Sequence, residues 1–117
     1  MYFIGSAALY DPSSNTWSSA ARMVRSRQGH TATVLSTGKV LVTGGVGFSL
    51  FGIYSAAELY NPSSDSWSKA GPLTTARWYH TATLLPGGKV LFAGGVGKSH
   101  LLSSAELYDP SQASRDP

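Results

Sequence analysis

The sequence predicts an all-β protein built from a repeated four-stranded antiparallel unit. Three observations predict it. The chain of 117 residues repeats itself at an offset of 50: residues 9–47 and 59–97 share 22 identities in 39 positions without a gap, including Trp17 with Trp67 and His30 with His80. Apolar and β-branched residues come in short runs separated by Gly, Pro, Asn and Ser, the pattern of strands and tight turns. No stretch keeps a 3.6-residue apolar period with capping residues, so helices are not expected.

Each unit divides into four strands. His30-Thr31-Ala32-Thr33-Val34-Leu35 alternates small or apolar residues with Thr and reads as the first. Ser36-Thr37-Gly38-Lys39 turns the chain; its counterpart Pro86-Gly87-Gly88-Lys89 has the glycines that a primed hairpin turn favours. Lys39-Val40-Leu41-Val42-Thr43 is almost continuously apolar and reads as a strand buried on both faces. It ends in Gly44-Gly45, as its copy ends in Gly94-Gly95. After a variable loop, Ala57-Glu58-Leu59-Tyr60 forms the third strand and Asn61-Pro62-Ser63-Ser64-Asp65 a turn. Trp67 begins the fourth strand, and Gly71-Pro72 closes it. A third, partial copy runs from Ser104 to Pro110 and arrives two residues early. The chain is one segment: residues 6–22 end one unit, 25–72 make a complete one, 75–110 supply the first three strands of another, and 111–117 are a tail.

A four-stranded unit with two apolar faces satisfies neither alone and must stack on neighbours. The Gly-Gly pairs suit a place where backbones approach too closely for a Cβ. Tyr10 with Trp17, and Tyr60 with Trp67, flank the hairpin between third and fourth strands, each Trp able to bury ~150–250 Å².

Composition narrows the function. There is no Cys, which excludes disulfides, thiolate metal sites and thiol nucleophiles. Nine Lys and Arg against six Asp and Glu give a net charge of +3, but the cations are scattered, so neither nucleic-acid binding nor a polybasic membrane patch is expected. No apolar run approaches the ~20 residues of a membrane helix, and Met1-Tyr2-Phe3-Ile4-Gly5-Ser6 does not read as a signal peptide. Only 13% of residues are charged while Ser and Thr supply 27 positions, a surface leaning toward an extracellular or periplasmic setting. The compartment itself stays open.

A period near 50, a Gly-Gly doublet, and Tyr then Trp six residues between resemble kelch repeats, the blades of a kelch-type β-propeller. The resemblance covers residues 6–110. Gly29-His30-Thr31-Ala32-Thr33-Val34-Leu35 with Thr37-Gly38-Lys39-Val40-Leu41-Val42-Thr43-Gly44-Gly45 is most similar to bacterial kelch proteins, including galactose-oxidase-like ones. It implies an incomplete ring of about two blades, whose structural motif residues are Gly44, Gly45, Gly94, Gly95, Tyr10, Trp17, Tyr60, Trp67 and Tyr108. Galactose oxidases hold copper with Tyr, His and a Tyr–Cys crosslink; without Cys that chemistry is not carried over, and no metal or other cofactor is expected.

Several motifs imitate chemistry. Gly94-Gly95-Val96-Gly97-Lys98-Ser99 resembles a phosphate-binding loop, but Phe92 stands where that motif needs its first Gly, and the sister copy has Phe48 in place of the Lys. His30 and His80 sit one unit apart with no acidic residue near in sequence, so they read as packed histidines at strand starts rather than metal ligands. Asp11 and Asp109 share a turn position with Asn61, which suits a turn and not acid–base catalysis. Glu58 and Glu106 are repeat equivalents, read as solvated strand positions or as partners of a nearby Arg. No catalytic residue is assigned.

What remains are the loops on one face: the second-to-third-strand loops 46–55 and 96–103 and the connections 22–29 and 72–79. Phe48, Phe51 and Tyr54 in the first loop, Lys98 and His100 in the second, and Arg27, Arg77 and Trp78 in the connections are the candidate ligand- or partner-binding residues. The apolar loop residues either recognise a partner or pack over the sheet edge. The kelch resemblance places Arg27 and Arg77 at the channel mouth, facing acidic groups, or in structural bonds between blades. The expectation is a non-catalytic propeller module presenting loops to a protein or glycan partner. The alternative is a fragment of a galactose-oxidase-like or sialic-acid-processing enzyme with its active residues elsewhere. A purely structural blade pair is a third reading. Two blades leave open faces, so further kelch blades, in cis or by self-association, are expected to cover them.

Overall fold

The short alternating runs become nine strands. The computed structural model describes residues 5–47 and 52–112, and among these the sole non-strand element is a 3-10 turn at Pro110–Gln112. β1 (Ala7–Asp11) and β2 (Thr16–Ala20) form a two-stranded sheet. β3 (Thr31–Val34), β4 (Val40–Thr43), β5 (Ala57–Asn61) and β6 (Ser66–Ala70) form a four-stranded one. β7 (Thr81–Leu84), β8 (Val90–Ala93) and β9 (Ala105–Tyr108) form a third of three strands. Every pairing is antiparallel, and strands adjacent in a sheet are consecutive in the chain. The sheets do not close into a barrel.

The primed turn expected at Pro86-Gly87-Gly88-Lys89 is not formed, and the β3–β4 hairpin shows the loop length that both share. Its loop has three residues: Gly38 N–H donates to Leu35 O at 2.9 Å, and Leu35 N–H to Lys39 O at 2.8 Å. Gly38, at φ 88°, occupies the left-handed position that such a loop needs before the chain re-enters the sheet. The β7–β8 hairpin repeats the same two bonds.

The turn after each third strand is set by its first side chain. Asp11, Asn61 and Asp109 each accept from the backbone N–H two residues on, at 2.9, 3.0 and 3.0 Å, so Asp and Asn are interchangeable there.

The core lies between the second and third sheets. Leu41, Leu59 and Leu35 of the second meet Val90, Phe92 and Tyr108 of the third, with Ala57, Ala70 and Leu73 alongside. Pleating explains the choice: Leu41 and Thr43 point to one face of β4, and Val90 and Phe92 to the facing side of β8. β4 is buried on both faces, as its apolar run predicts.

The Gly-Gly contact is as close as the sequence suggests. A Cβ on Gly44 would stand 2.4 Å from Arg77 O, and one on Gly45 2.9 Å from Gln28 O. Both glycines have positive φ, and Gly45 N–H donates to Arg77 O at 2.9 Å, joining the two sheets.

Tyr10 lies opposite Trp17, and Tyr60 opposite Trp67, each ring pair with centroids 5.0 Å apart. Their burial differs. Trp67 is half-buried, whereas Trp17 is 70% exposed because no described residue covers the outer side of the first sheet.

Candidate functional site

Arg27 and Arg77 close the connections that lead into the second and third sheets. Arg27 Nη1 donates to Gly44 O at 2.8 Å and Ala56 O at 2.9 Å, while Nε and Nη2 donate to Glu58 at 3.2 and 3.0 Å. The same carboxylate accepts the N–H groups of Val24 and Arg25. Arg77 repeats the pattern with Gly94 O, Ser104 O and Glu106, and Glu106 accepts from Thr74 and Thr75. Each Arg–Glu pair therefore fastens an incoming segment onto the third strand of its own sheet. Burial pulls the Arg27 guanidinium below its ordinary pKa, against the opposing effect of Glu58. Burial pushes Glu106 up, but the Thr74 and Arg77 hydrogen bonds outweigh it and leave the group below its ordinary value. Glu58 and Glu106 are thus partners of an Arg, one of the two readings that the sequence left open.

His80 belongs to the sheet interface. It is buried, and its Nε2 lies 3.0 Å from Thr31 Oγ1 and 3.1 Å from Thr43 Oγ1 of the neighbouring sheet. Burial, then the charge of Arg77, hold its pKa down to about 4, so the ring is neutral at pH 7. His30, its repeat equivalent, is exposed. Among the described residues no group of three His, Asp or Glu side chains is placed to hold a metal ion.

Beyond the strands the loops carry short extra rungs. Val46 bridges Gln28 and Ile53; Val96 bridges Trp78 and Leu101. Tyr54 is packed, its hydroxyl against Gly47 and its ring under Arg25 and Arg27, whose guanidinium carbons lie 5.0 and 5.3 Å from its centroid. Lys98, Ser99 and His100 form an exposed loop closed by Gly97 N–H on His100 O at 2.9 Å. With Ser55, Thr74 and Thr75 they line an open cleft of about 410 Å³. Here Gly97 serves a tight loop, not a phosphate cradle.

The most unusual backbone of this face is at Tyr79. Its φ is 56°, a left-handed conformation that costs an aromatic residue about 1–3 kcal/mol. The repeat equivalent is Gly29, at φ 72°, which adopts it freely. Tyr79 stacks on Trp78 with centroids 4.4 Å apart and planes 28° apart, yet remains 61% exposed. Trp78 rests against Gly29, where a Cβ would come within 3.0 Å of its ring, and Tyr79 N–H donates to Gly29 O at 2.8 Å.

Of the sequence candidates, Arg77, Trp78, Lys98 and His100 gather around the third sheet's loop end, and Arg27 and Tyr54 around that of the second. Phe48 and Phe51 lie outside the described residues. Tyr79 was missed, although one comparison carries its signal: Gln28-Gly29 in one copy becomes Trp78-Tyr79 in the other. No family model matches the chain, and no curated protein matches it. No helix among the described residues is long and apolar enough to cross a membrane.

Proposed function

We propose that this chain is a segment of a kelch-type β-propeller and works as a non-catalytic binding module, presenting its loop face to a protein or glycan partner. The propeller reading is supported by four-stranded antiparallel pairing in chain order, Gly-Gly contacts between sheets and the repeated Tyr–Trp pairs. One observation carries the binding reading. The two copies agree at their Arg–Glu clamps, yet at the loop face Gln28-Gly29 gives way to Trp78-Tyr79, with Tyr79 exposed and strained. The second sheet closes the same connection with Gln28-Gly29, so the exchange favours a recognition role for the exposed ring.

Further units of the same kind, in cis or by self-association, cover the remaining apolar surface, where Val34 and Leu107 stand exposed. Binding of the 117-residue chain to immobilised glycans and to candidate proteins tests the module reading. Binding that is lost on exchanging residues 97–102 for a Gly-Ser loop supports it. Turnover of a sugar substrate by the chain overturns it.

A further inference from the structure

Resting on the reading that further units of the same kind cover this chain, we propose that Asn15 and Trp17 form a peptide clamp. Its occupant is an extended segment of such a unit, with a small residue at its centre. A filled copy of the clamp stands one repeat away. There Asp65 Oδ1 accepts the N–H of Ala21 at 2.9 Å, and Trp67 Nε1 donates to Ala21 O at 2.8 Å. Acceptor and donor thus grip both polar groups of one residue, in the segment that leaves β2.

Asn15 and Trp17 reproduce that geometry. Asn15 has φ 55° and Asp65 φ 49°, both left-handed. Tyr10 OH donates to Asn15 Oδ1 at 2.6 Å, as Tyr60 OH does to Asp65 Oδ1 at 2.7 Å. The Tyr10 and Trp17 rings lie 5.0 Å apart at 46°, those of Tyr60 and Trp67 5.0 Å apart at 49°. These holding contacts all lie within the β1–β2 hairpin, so the grip is preorganised. Tyr10 takes one lone pair of Asn15 Oδ1 and leaves the second. Among the described residues nothing accepts from Trp17 Nε1, and that side chain is the exposed one of the two.

The filled copy also says what fits. The gripped residue is Ala21, and one unit on it is Gly71, whose carbonyl Tyr108 takes; both are small. This chain's own two segments are therefore engaged, and the occupant comes from a further unit. Asn15 offers a neutral acceptor where Asp65 offers a charged one, so its hold on an N–H is the weaker.

The test uses the 117-residue chain and, as probe, the end-blocked peptide Ser-Ser-Ala-Ala-Arg-Met-Val, the sequence of residues 18–24. Nuclear magnetic resonance of the isotopically labelled chain reads the indole N–H signals. The Trp17 signal is expected to move saturably with peptide up to about 5 mM, while those of Trp67 and Trp78 stay in place. A peptide N-methylated at the position of Ala21 lacks the gripped N–H and is expected to bind at least about fivefold more weakly. Trp17→Phe keeps a ring but removes the donor; it is expected to melt with the parent and to weaken peptide binding at least about fivefold. Asn15→Asp is expected to tighten binding about twofold or more.

No saturable movement of the Trp17 signal overturns the clamp, as do equal affinities for the plain and N-methylated peptides. A Trp17→Phe chain that melts well below the parent overturns it too, since the indole would then already be serving the fold. These failures leave the binding-module reading standing, because that is read at the loop of residues 97–102. Loss of the module reading there, with the peptide still shifting Trp17, leaves the clamp in place.

Discussion

The indole Nε1 of Trp67 donates to the carbonyl oxygen of Ala21 at 2.8 Å, fastening the outer strand of the second sheet to the segment that leaves the first. One unit later the corresponding carbonyl is that of Gly71, and the hydroxyl of Tyr108 takes it instead. The same tie between consecutive sheets is therefore made by two different side chains.

Trp67 and Trp17 separate on this basis, although the sequence gives them equal standing. Replacing Trp67 with Ala removes the bond to Ala21 and the packing on Tyr60, an expected loss of about 3 kcal/mol. Trp17→Ala is expected to cost under about 1 kcal/mol, because that ring is already largely in water. Urea denaturation of the two variants checks this, and equal losses would contradict it.

Glu58 and Glu106 form a second contrast. The Arg27–Glu58 side chains are 0% and 3% exposed, whereas Glu106 opposite Arg77 is 13% exposed. Glu58→Ala leaves a guanidinium buried without its counter-charge, at about 3–5 kcal/mol. Glu106→Ala is expected to cost less, about 2 kcal/mol, because water reaches that end of the pair. Thermal melts in the same buffer give the ranking.

Gly95 and Gly88 distinguish a close approach from backbone strain. Their φ values are nearly equal, 93° and 96°, but a Cβ on Gly95 would stand 2.6 Å from Trp78 O, while the nearest atom to one on Gly88 is Ser36 Oγ at 3.5 Å. Gly88→Ala is expected to cost about 1 kcal/mol from the left-handed backbone alone. Gly95→Ala must also move the chain at Trp78 and is expected to cost about 3 kcal/mol or more. Denaturation midpoints of the pair give the difference directly.

Acid sensitivity is expected to centre on His80. Its folded pKa of about 4 lies below the 6.5 of an unperturbed imidazole, so between these values the unfolded chain binds the extra proton. Stability is then full above about pH 6.5 and falls as the pH drops toward 4, by about 3 kcal/mol from this group. Glu106 and Asp65, whose pKa values are lowered, add a further loss as they protonate at lower pH. Stability measured from pH 7.5 to 4 should show the slope, and His80→Gln should make it shallower, with a remainder from His30, whose pKa burial also lowers.

Strands and hairpins were legible because alternation and turn residues act locally, and a repeat states them twice. The contact at Gly44 and Gly45 was legible for the same reason. The Arg27–Glu58 and Arg77–Glu106 pairs were only half legible: both partners recur, but separations of 31 and 29 residues place them together only through the sheet. The primed turn expected at Pro86-Gly87-Gly88-Lys89 proved to be a three-residue loop, since glycines serve either loop length. Trp17 was read as able to bury as much area as Trp67, although burial depends on what stacks against a sheet rather than on the strand itself. The strain at Tyr79 was invisible in composition and emerges from the backbone it shares with Gly29.

The Arg–Glu spacing also has a consequence for synthesis. Each Arg leaves the ribosome some thirty residues ahead of its Glu, and until that Glu arrives its guanidinium sits at a forming interface with only carbonyl partners. A chain ended after Leu102 would carry Arg77 without Glu106, and Phe92 without the ring of Tyr108 at 5.8 Å. Limited proteolysis should digest residues 72–102 of such a chain far faster than in the parent. Each unit is therefore electrostatically complete only once its third strand has supplied the Glu that pairs with its Arg.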